Sequence, residues 1–176
     1  MAYRTWLWMV GVVCLVSLLA GYRAAAFAGD GASETGRLLM VLLDTGRLTV
    51  GANQGLINDK SKGVKGFTSE RFEKELQERF KLRAGVDLAN LDQADVPPLA
   101  KTLLPQLVKA SKSVVDEAQF VINMEGVGYK GFIPAVFGTA AASRFRSYTN
   151  VYLRQTALGP RNPRNAPESN PHPEPF

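Results

Sequence analysis

The sequence predicts a mainly helical α+β domain that follows an N-terminal transmembrane helix and precedes an extended proline-rich tail. Three observations lead to this fold class: an apolar run near the start of the chain, an internal repeat with an offset of 65 residues, and six of the ten prolines within residues 160–176. The 176 residues are 45% hydrophobic and 21% charged, which is the composition of one folded domain and not of a disordered or fibrous chain. We therefore predict a membrane anchor or signal over residues 1–28, an exported domain over 29–159 and the tail over 160–176.

The N-terminal segment combines Arg4 with an apolar run from Trp6 to Ala28. As a helix, this run would be about 34 Å long, which is enough to cross a bilayer. Four residues in it suit the membrane interfaces: Trp6, Trp8, Tyr22 and Arg23. The competing interpretation is a secretory signal that ends at Ala26-Phe27-Ala28. Both interpretations export the domain, and the anchor gives a single-pass inner-membrane protein with its N-terminus inside and its domain in the periplasm.

An internal repeat relates Gln54–Leu88 to Gln119–Leu153. Without a gap, 12 of 35 positions are identical, where chance would give about two at ordinary residue frequencies. The identities include a Gln-x-x-Ile-Asn motif and a Lys-Gly-Phe motif in each copy. We take the domain to consist of two similar helix-loop-helix units, at about residues 34–88 and 99–153.

Each unit begins with an amphipathic helix, predicted at about residues 34–51 in unit one and 98–119 in unit two. Asp95 and the Pro97-Pro98 pair mark the start of the second of these helices, and Pro105 predicts a kink or a later start. Two stripes of mostly apolar residues would face the core: Leu38, Leu42, Thr45 and Leu48 in unit one, and Leu103, Leu107, Ala110 and Val114 in unit two.

A second helix follows the loop in each unit. Thr68 or Ser69 is the predicted N-cap of the first, and Pro134 lies in the first turn of the other. Gly85 and Asn150 occupy equivalent places after these helices, and both residue types tolerate the left-handed conformation that ends a helix. Short strands are predicted next, at residues 86–88 and 151–157.

Residues 126–167 contain no Asp or Glu. Basic residues mixed with aromatic ones are typical of a nucleic-acid surface, of a face that meets acidic lipid or protein, or of a solvated face beside core aromatics. The export segment argues against nucleic acid. We predict a partner-binding face, formed by five arginines of this window: Arg144, Arg146, Arg154, Arg161 and Arg164. The sixth cation of the window is Lys130.

No catalytic constellation is present in the sequence. The single Cys lies in the apolar run and the single His in the tail, which argues against a disulfide framework, a structural zinc site and a Cys–His catalytic pair. Residues 126–131 match GxGxxG, but the dinucleotide fingerprint needs a preceding strand and a later acid that are missing here. A tight helix-to-helix turn explains the glycines better. Asn58 and Asn123 are predicted to close the two loops by local hydrogen bonds.

Three segments carry a resemblance to a known family: NQGLINDKSKGVKGF at 53–67, QFVINMEGVGYKGFIPAVF at 119–137 and LGPRNPRNAPE at 158–168. They resemble a bacterial haem-associated family, filed as a domain of unknown function, that occurs free in cyanobacteria or as the sensory part of histidine kinases. The resemblance implies a PAS-like sensor fold with extra helices. Members continue into further strands and a haem-attaching motif with two Cys and a following His. This chain lacks that motif, so we expect no covalent haem, no other cofactor and a truncated PAS-like sheet.

These observations favour a non-catalytic protein. The leading hypothesis is a membrane-anchored accessory or scaffolding subunit of a larger membrane complex, with a photosynthetic or respiratory electron-transfer complex as the natural host. Its partners would be other membrane subunits and the bilayer, not nucleic acid. The alternative hypothesis is a sensor-type domain that binds a small molecule non-covalently between its helices.

Overall fold

The computed structural model describes residues 31–154 together with Pro163 and Ala166, and these residues are mainly helical. Helix α1 covers residues 31–52. The remaining elements follow in chain order: α2 (Gln54–Ile57), α3 (Ser69–Ala84), a 3-10 helix (Leu88–Gln93), α4 (Pro98–Glu117), α5 (Gln119–Ile122) and α6 (Pro134–Thr149). The predicted anchor, its interface residues Trp6, Trp8, Tyr22 and Arg23, and most of the tail lie outside the described residues. Within the part of the chain that is described, no helix has the length and apolar character to span a membrane.

The two units have the same element order, since α1, α2 and α3 correspond to α4, α5 and α6. Helix α4 packs against both α6 and α3. Helix α1 likewise approaches both: Gly46 lies against Phe137 and Phe72. A side chain at Gly46 would lie 2.8 Å from Phe137, so the glycine allows α1 to approach α6 closely. The four long helices therefore form one bundle around a shared core.

Local signals for helix ends operate as the sequence predicts. Thr68 is the N-cap of α3, and its hydroxyl accepts a hydrogen bond from the Arg71 N–H at 3.3 Å. Pro134 is the first residue of α6, where a missing N–H costs nothing. Gly85 and Asn150 end α3 and α6 in the left-handed conformation, with φ of 70° and 59°. These four predictions are confirmed.

The apolar stripes form the core, with one exception. All four predicted residues of α4 and three of the four in α1 are buried. Leu48 is 49% exposed, and Thr49 is buried in its place. The Thr49 hydroxyl donates to the Thr45 carbonyl at 2.9 Å, which satisfies it inside the core. The prediction for Leu48 was wrong, because position 49, four residues after Thr45, faces the core at the C-terminal end of α1 and position 48 faces outward.

Aromatic residues at equivalent positions of the two units occupy the centre. The members of each repeat-related pair are both buried, as the repeat predicts: Phe67 and Phe132, Phe72 and Phe137, and Phe80 and Phe145. The rings of Phe72 and Phe137 have centroids 5.2 Å apart. The repeat therefore has structural content in the core.

The strands predicted after α3 and α6 are wrong for the residues that are described. Asp87 accepts a hydrogen bond from the Ala89 N–H at 3.0 Å and begins a 3-10 helix, so residues 86–88 have no strand partner. Val86 is nevertheless buried. Residues 151–154 are irregular, and 155–157 lie outside the described residues. The β component is therefore absent from residues 31–154, and the fold there is helical.

Helix α4 also differs from one prediction. It begins at Pro98, as the proline pair indicates, and it continues through Pro105 to Glu117. Pro105 does not delay its start. Pro105 is the eighth residue of the helix, so the carbonyl of Lys101 lacks the N–H donor that another residue would supply at this position.

The loops of the two units, residues 58–67 and 123–132, meet and exchange hydrogen bonds; we call this contact the loop crossing. The Asn58 side-chain oxygen accepts from the Lys130 N–H at 3.1 Å, and that of Asn123 accepts from the Lys65 N–H at 2.9 Å. Both asparagines thus bind the loop of the other unit. The prediction of local hydrogen bonds is met only by the amide nitrogens: Asn58 Nδ2 donates to Gln54 Oε1 and Asn123 Nδ2 to Gln119 Oε1, at 3.2 Å each. The side-chain oxygens bind the loop of the other unit instead.

The glutamines of the repeated motif add a second reciprocal pair of bonds. Gln54 Nε2 donates to the Phe132 carbonyl at 2.9 Å, and Gln119 Nε2 donates to the Phe67 carbonyl at 3.0 Å. Buried amides of this kind stabilise the fold only when each is paired. The identical residues of the repeat therefore hold the two units to each other.

Candidate functional site

The predicted basic face is divided by the fold. Arg146 and Arg154 line one cleft between α1 and α6. Arg144 lies elsewhere and forms an ion pair with Glu117 of α4, with a shortest N–O distance of 2.6 Å. Arg161 and Arg164 lie outside the described residues. Among the described residues, the arginines of the acid-free stretch keep a local basic surface at the cleft, whereas a neighbouring helix supplies a carboxylate to Arg144.

The arginine cleft, as we call it, has a volume of about 340 Å³. Its apolar floor includes Leu43 and Leu153, and Ala135 and Gly138 lie on its α6 side. Its polar lining comprises Arg47, Thr139, Ser143, Arg146, Tyr152 and Arg154. Three guanidinium groups in a cleft of this size suit a carboxylate or phosphate, which arginine binds with two parallel hydrogen bonds.

Arg47 of α1 was not predicted from the sequence. Its side chain crosses α6 over Gly138, where a Cβ would lie 2.9 Å from the arginine Cδ. The buried Arg47 Nε has no hydrogen-bond partner. Arg47 Nη1 forms a long ion pair with Asp44, at 3.5 Å. The same aspartate binds Arg83 more closely, at 2.8 Å. The guanidinium therefore retains a donor that no described protein group satisfies.

Arg146 lies one helical turn beyond Ser143 and two turns beyond Thr139 on α6. Its guanidinium stands over the ring of Tyr152, 5.3 Å from the centroid. Among the described residues, no carboxylate forms an ion pair with Arg146. The ring attracts the cation without cancelling its charge.

A second cleft occupies the repeat-equivalent place in the other unit; we call it the paired cleft. Its volume is about 310 Å³. Five of its lining residues correspond to arginine-cleft residues at the 65-residue offset: Glu73 to Gly138, Gln77 to Ala142, Leu88 to Leu153, Val108 to Leu43 and Lys112 to Arg47. The two clefts therefore occupy equivalent positions in the two units, and their lining residues can be compared one by one.

Two lysines in or beside the paired cleft are neutralised by nearby acids, whereas Lys109 of its lining lies 5.2 Å from the centroid of the Tyr148 ring. Lys112 binds Glu73 at 2.9 Å, and this hydrogen bond raises the pKa of the lysine. Beside the cleft, Lys81 binds Asp87 at 2.8 Å, and this bond lowers the pKa of the aspartate. Both lysines have a built-in counter-ion.

The arginine cleft keeps the cations and lacks those acids. Glu73 is replaced by Gly138, so Arg47 has a glycine where Lys112 has a carboxylate. Asp87 is replaced by Tyr152, so Arg146 has an aromatic ring where Lys81 has a carboxylate. The repeat alignment therefore contained a signal for Arg47: its equivalent is basic, but the equivalent of its partner acid is gone.

Among residues 31–154, no group of three or more His, Cys, Asp and Glu residues converges to bind a metal ion. The arrangement of the arginine cleft suits the binding of an anion and offers no nucleophile paired with a general base.

Comparisons with protein-family models, with curated proteins and with solved structures find no match to this chain. The resemblance to the haem-associated PAS-like family therefore stays a prediction from the sequence segments that carry it.

Proposed function

We propose that this protein is a non-catalytic accessory subunit of a larger membrane assembly and that its arginine cleft binds an acidic segment of a partner subunit. An electron-transfer complex, photosynthetic or respiratory, is the host class that the family resemblance favours. The apolar N-terminal run would anchor the chain, with the helical bundle in the periplasm.

One observation supports this proposal above the others. The arginine cleft has lost both acids of its twin and has kept both cations. Arg47 has only a 3.5 Å ion pair with Asp44, and its buried Nε has no acceptor, so an external anion would supply a partner that the cleft itself does not. A carboxylate from a partner would take the place that Glu73 takes in the paired cleft.

The test restores the missing acid. In the organism that encodes the protein, the tagged full-length chain is purified in mild detergent, and the subunits that come with it are measured at low and high salt. Ala135 is equivalent to Glu70, the second acid near Lys112 in the paired cleft. Ala135→Glu places a carboxylate beside Arg47 and should reduce partner retention about tenfold, which corresponds to about 1.4 kcal/mol. Arg146→Glu should act in the same direction.

The control is Lys74→Glu at an exposed position of α3; its change of two charges equals that of Arg146→Glu and exceeds that of Ala135→Glu. It should leave retention unchanged. Wild-type retention should fall as salt rises, because the Debye length is about 8 Å at physiological ionic strength and shorter above it. If Ala135→Glu and Arg146→Glu retain the partner as well as Lys74→Glu does, the cleft is not the docking site.

A second candidate function is a sensor that takes a small anionic molecule in the same cleft. The volume of about 340 Å³ favours it, since ligand sites begin at about 300 Å³. Melting curves of the full-length chain with small mono- and dicarboxylates separate the two functions. A melting temperature that rises with dicarboxylate, and does not rise in Arg146→Glu, supports the sensor.

A further inference from the structure

A second cavity adjoins the arginine cleft on the side of α3; we call it the leucine groove. Its main part has a volume of about 530 Å³, and Arg47, Leu48, Ala52 and Arg79 are among its lining residues. A smaller part of about 190 Å³ shares Leu48 and Arg79 with it and continues to Leu82. Because Arg47 also lines the arginine cleft, the cleft and the groove meet at this side chain.

The groove is apolar at two positions where the other unit is polar. Leu48 is 49% exposed and Leu82 is 86% exposed, and both line the smaller part of the groove. Their equivalents at the 65-residue offset are Ser113 and Ser147. A single exposed leucine is ordinary on a protein surface, but two that line one cavity give a bound chain an apolar surface to cover.

The groove also holds a cation whose equivalent in unit two has an acid beside it. Arg144 binds Glu117 with a shortest N–O distance of 2.6 Å. The equivalent residues in unit one are Arg79 and Ala52, and both line the groove. Helix α1 therefore offers Arg79 a methyl group where α4 offers Arg144 a carboxylate.

The acids near Arg79 are engaged elsewhere. Within the described part of the chain, Arg79 forms no ion pair. Glu75, one helical turn before it, accepts hydrogen bonds from Asn53 and Arg71. Asp44, which also lines the groove, forms ion pairs with two other arginines. The guanidinium of Arg79 is thus exposed and available to a carboxylate from outside.

We propose that the leucine groove binds the continuation of the acidic partner segment, with a carboxylate at Arg79 and an aliphatic side chain against Leu48 and Leu82. This inference rests on the proposed function, because it extends the segment that the arginine cleft binds. Charge complementarity selects carboxylates as the partner groups of the arginines. The two leucines favour a peptide with aliphatic side chains over an inorganic anion, which would gain nothing from an apolar surface.

The length of the combined site also favours a peptide. Pro134 lines the groove and Arg146 lines the cleft, and 12 residues of α6 separate them, or about 18 Å at 1.5 Å per residue. A free anion of a few atoms cannot occupy both ends of such a site at once. An extended peptide covers 18 Å with about six residues, at about 3.3 Å per residue.

The experiment compares two synthetic peptides of different length by isothermal titration calorimetry with the full-length chain in mild detergent. The long peptide is Glu-Glu-Leu-Leu-Glu-Glu-Leu-Leu-Glu-Glu, which presents both residue types on either side when extended. The short peptide is Glu-Gly-Glu, which is long enough for the arginine cleft alone. Both are acetylated and amidated. Wild-type protein should bind the long peptide at least about tenfold more tightly, since it gains the contacts of the groove.

Ala52→Glu gives Arg79 the acid that Arg144 already has. It should weaken binding of the long peptide about tenfold and leave binding of the short peptide unchanged. The control is Gln93→Glu, the same change of one charge at an exposed position of the 3-10 helix, and it should bind both peptides as the wild type does. Leu48→Ser combined with Leu82→Ser installs the residues of unit two and should also weaken only the long peptide. All three positions of the groove variants are exposed, and circular dichroism checks that the variants remain folded.

The outcomes separate this inference from the proposed function. Equal affinity of Ala52→Glu and Gln93→Glu for the long peptide overturns the groove as a binding site, and so does wild-type protein that binds both peptides equally. The retention assay with Ala135→Glu tests the arginine cleft independently. A loss of retention in Ala135→Glu, together with unchanged peptide binding in Ala52→Glu, would leave the proposed function standing and confine the segment to the cleft.

Discussion

The two units of the bundle share a frame and differ in the charges placed on it. Phe72 and Phe137, like Asn58 and Asn123, are identical residues in equivalent roles. Lys112 and Arg47 are also equivalent, but the first has Glu73 as its partner and the second lies over Gly138. The repeat has thus preserved what holds the units together and changed what each presents to solvent.

Comparing the two units within one chain distinguishes residues with a shared structural role from residues that differ between the clefts. The core rings and the loop asparagines stay the same in both units and make equivalent contacts in each. A position that changes only in one cleft, from an acid to a neutral residue beside a retained cation, is free to serve another purpose. The following predictions test the shared frame and then the differences.

The largest effect is expected for the central aromatic pair. Phe72→Ala and Phe137→Ala should each lower the free energy of unfolding by about 3–5 kcal/mol, because a large buried ring is replaced by a cavity. Since the rings are in contact, the loss of unfolding free energy in the double variant should differ from the sum of the two single losses. Denaturant unfolding of the full-length chain, followed by circular dichroism, measures all three. A loss at only one of the two positions would break the equivalence of the units.

The loop crossing should respond symmetrically as well. Asn58→Ala and Asn123→Ala each leave a partly buried backbone N–H without its acceptor, which costs about 1–3 kcal/mol. The control is Asn90→Ala, whose amide bonds to Asp87 at the surface and whose loss should be within about 0.5 kcal/mol. Unequal losses at Asn58 and Asn123 would show that one loop holds the other without reciprocity.

The helix ends offer a prediction in which the units differ. Gly85→Ala should cost about 1–2 kcal/mol, because a side chain is forced into the left-handed conformation. No other atom lies near enough for contact with the added carbon, so the cost is that of the backbone alone. Asn150→Gly should change stability by less than about 0.5 kcal/mol, because Asn already tolerates this conformation. Thermal unfolding measures both, and a neutral Gly85→Ala would contradict the assignment.

The smallest effect concerns acid stability. Lys81 lowers the pKa of Asp87 from its ordinary value of 3.8. The folded carboxyl is the stronger acid, so its stabilisation is complete above pH 4 or so and is lost as the pH falls below it. Melting temperatures from about pH 5 to about pH 2 should therefore fall less steeply in Asp87→Asn than in the wild type. Tyr152→Phe at the equivalent position should leave this slope unchanged. An identical slope in Asp87→Asn would mean that the ion pair has no such role.

Local chemistry explains what the sequence predicts well. Thr68, Pro134, Gly85 and Asn150 act through their own backbone or that of a near neighbour, so their roles follow from residue type and position. The stripe of α4 follows from helical periodicity. These features need no knowledge of which elements meet.

The predictions that were wrong, and the residues that were not predicted, depend on contacts between elements distant in sequence. Asn58 bonds to a loop 72 residues away, and nothing in its local sequence distinguishes a near acceptor from a distant one. Arg144 forms an ion pair with Glu117, which lies on another helix. Arg47 lines the cleft although it belongs to α1, outside the acid-free window. The segment at 86–88 is apolar enough for a strand, but a sheet needs a partner and Asp87 offers a turn instead.

The reciprocal bonds of the loop crossing also govern the order in which the chain completes its fold during synthesis. Gln54 and Asn58 emerge first, and their partners Phe132 and Lys130 lie 78 and 72 residues later. At elongation rates of about 5–20 residues per second, these intervals last about 4–16 s. Through that time the first unit also lacks apolar partners for its core, since Phe72 packs against Phe137, so it gains little by folding alone. The nascent chain therefore waits in an open state until both halves exist, and the two units close together in one cooperative step.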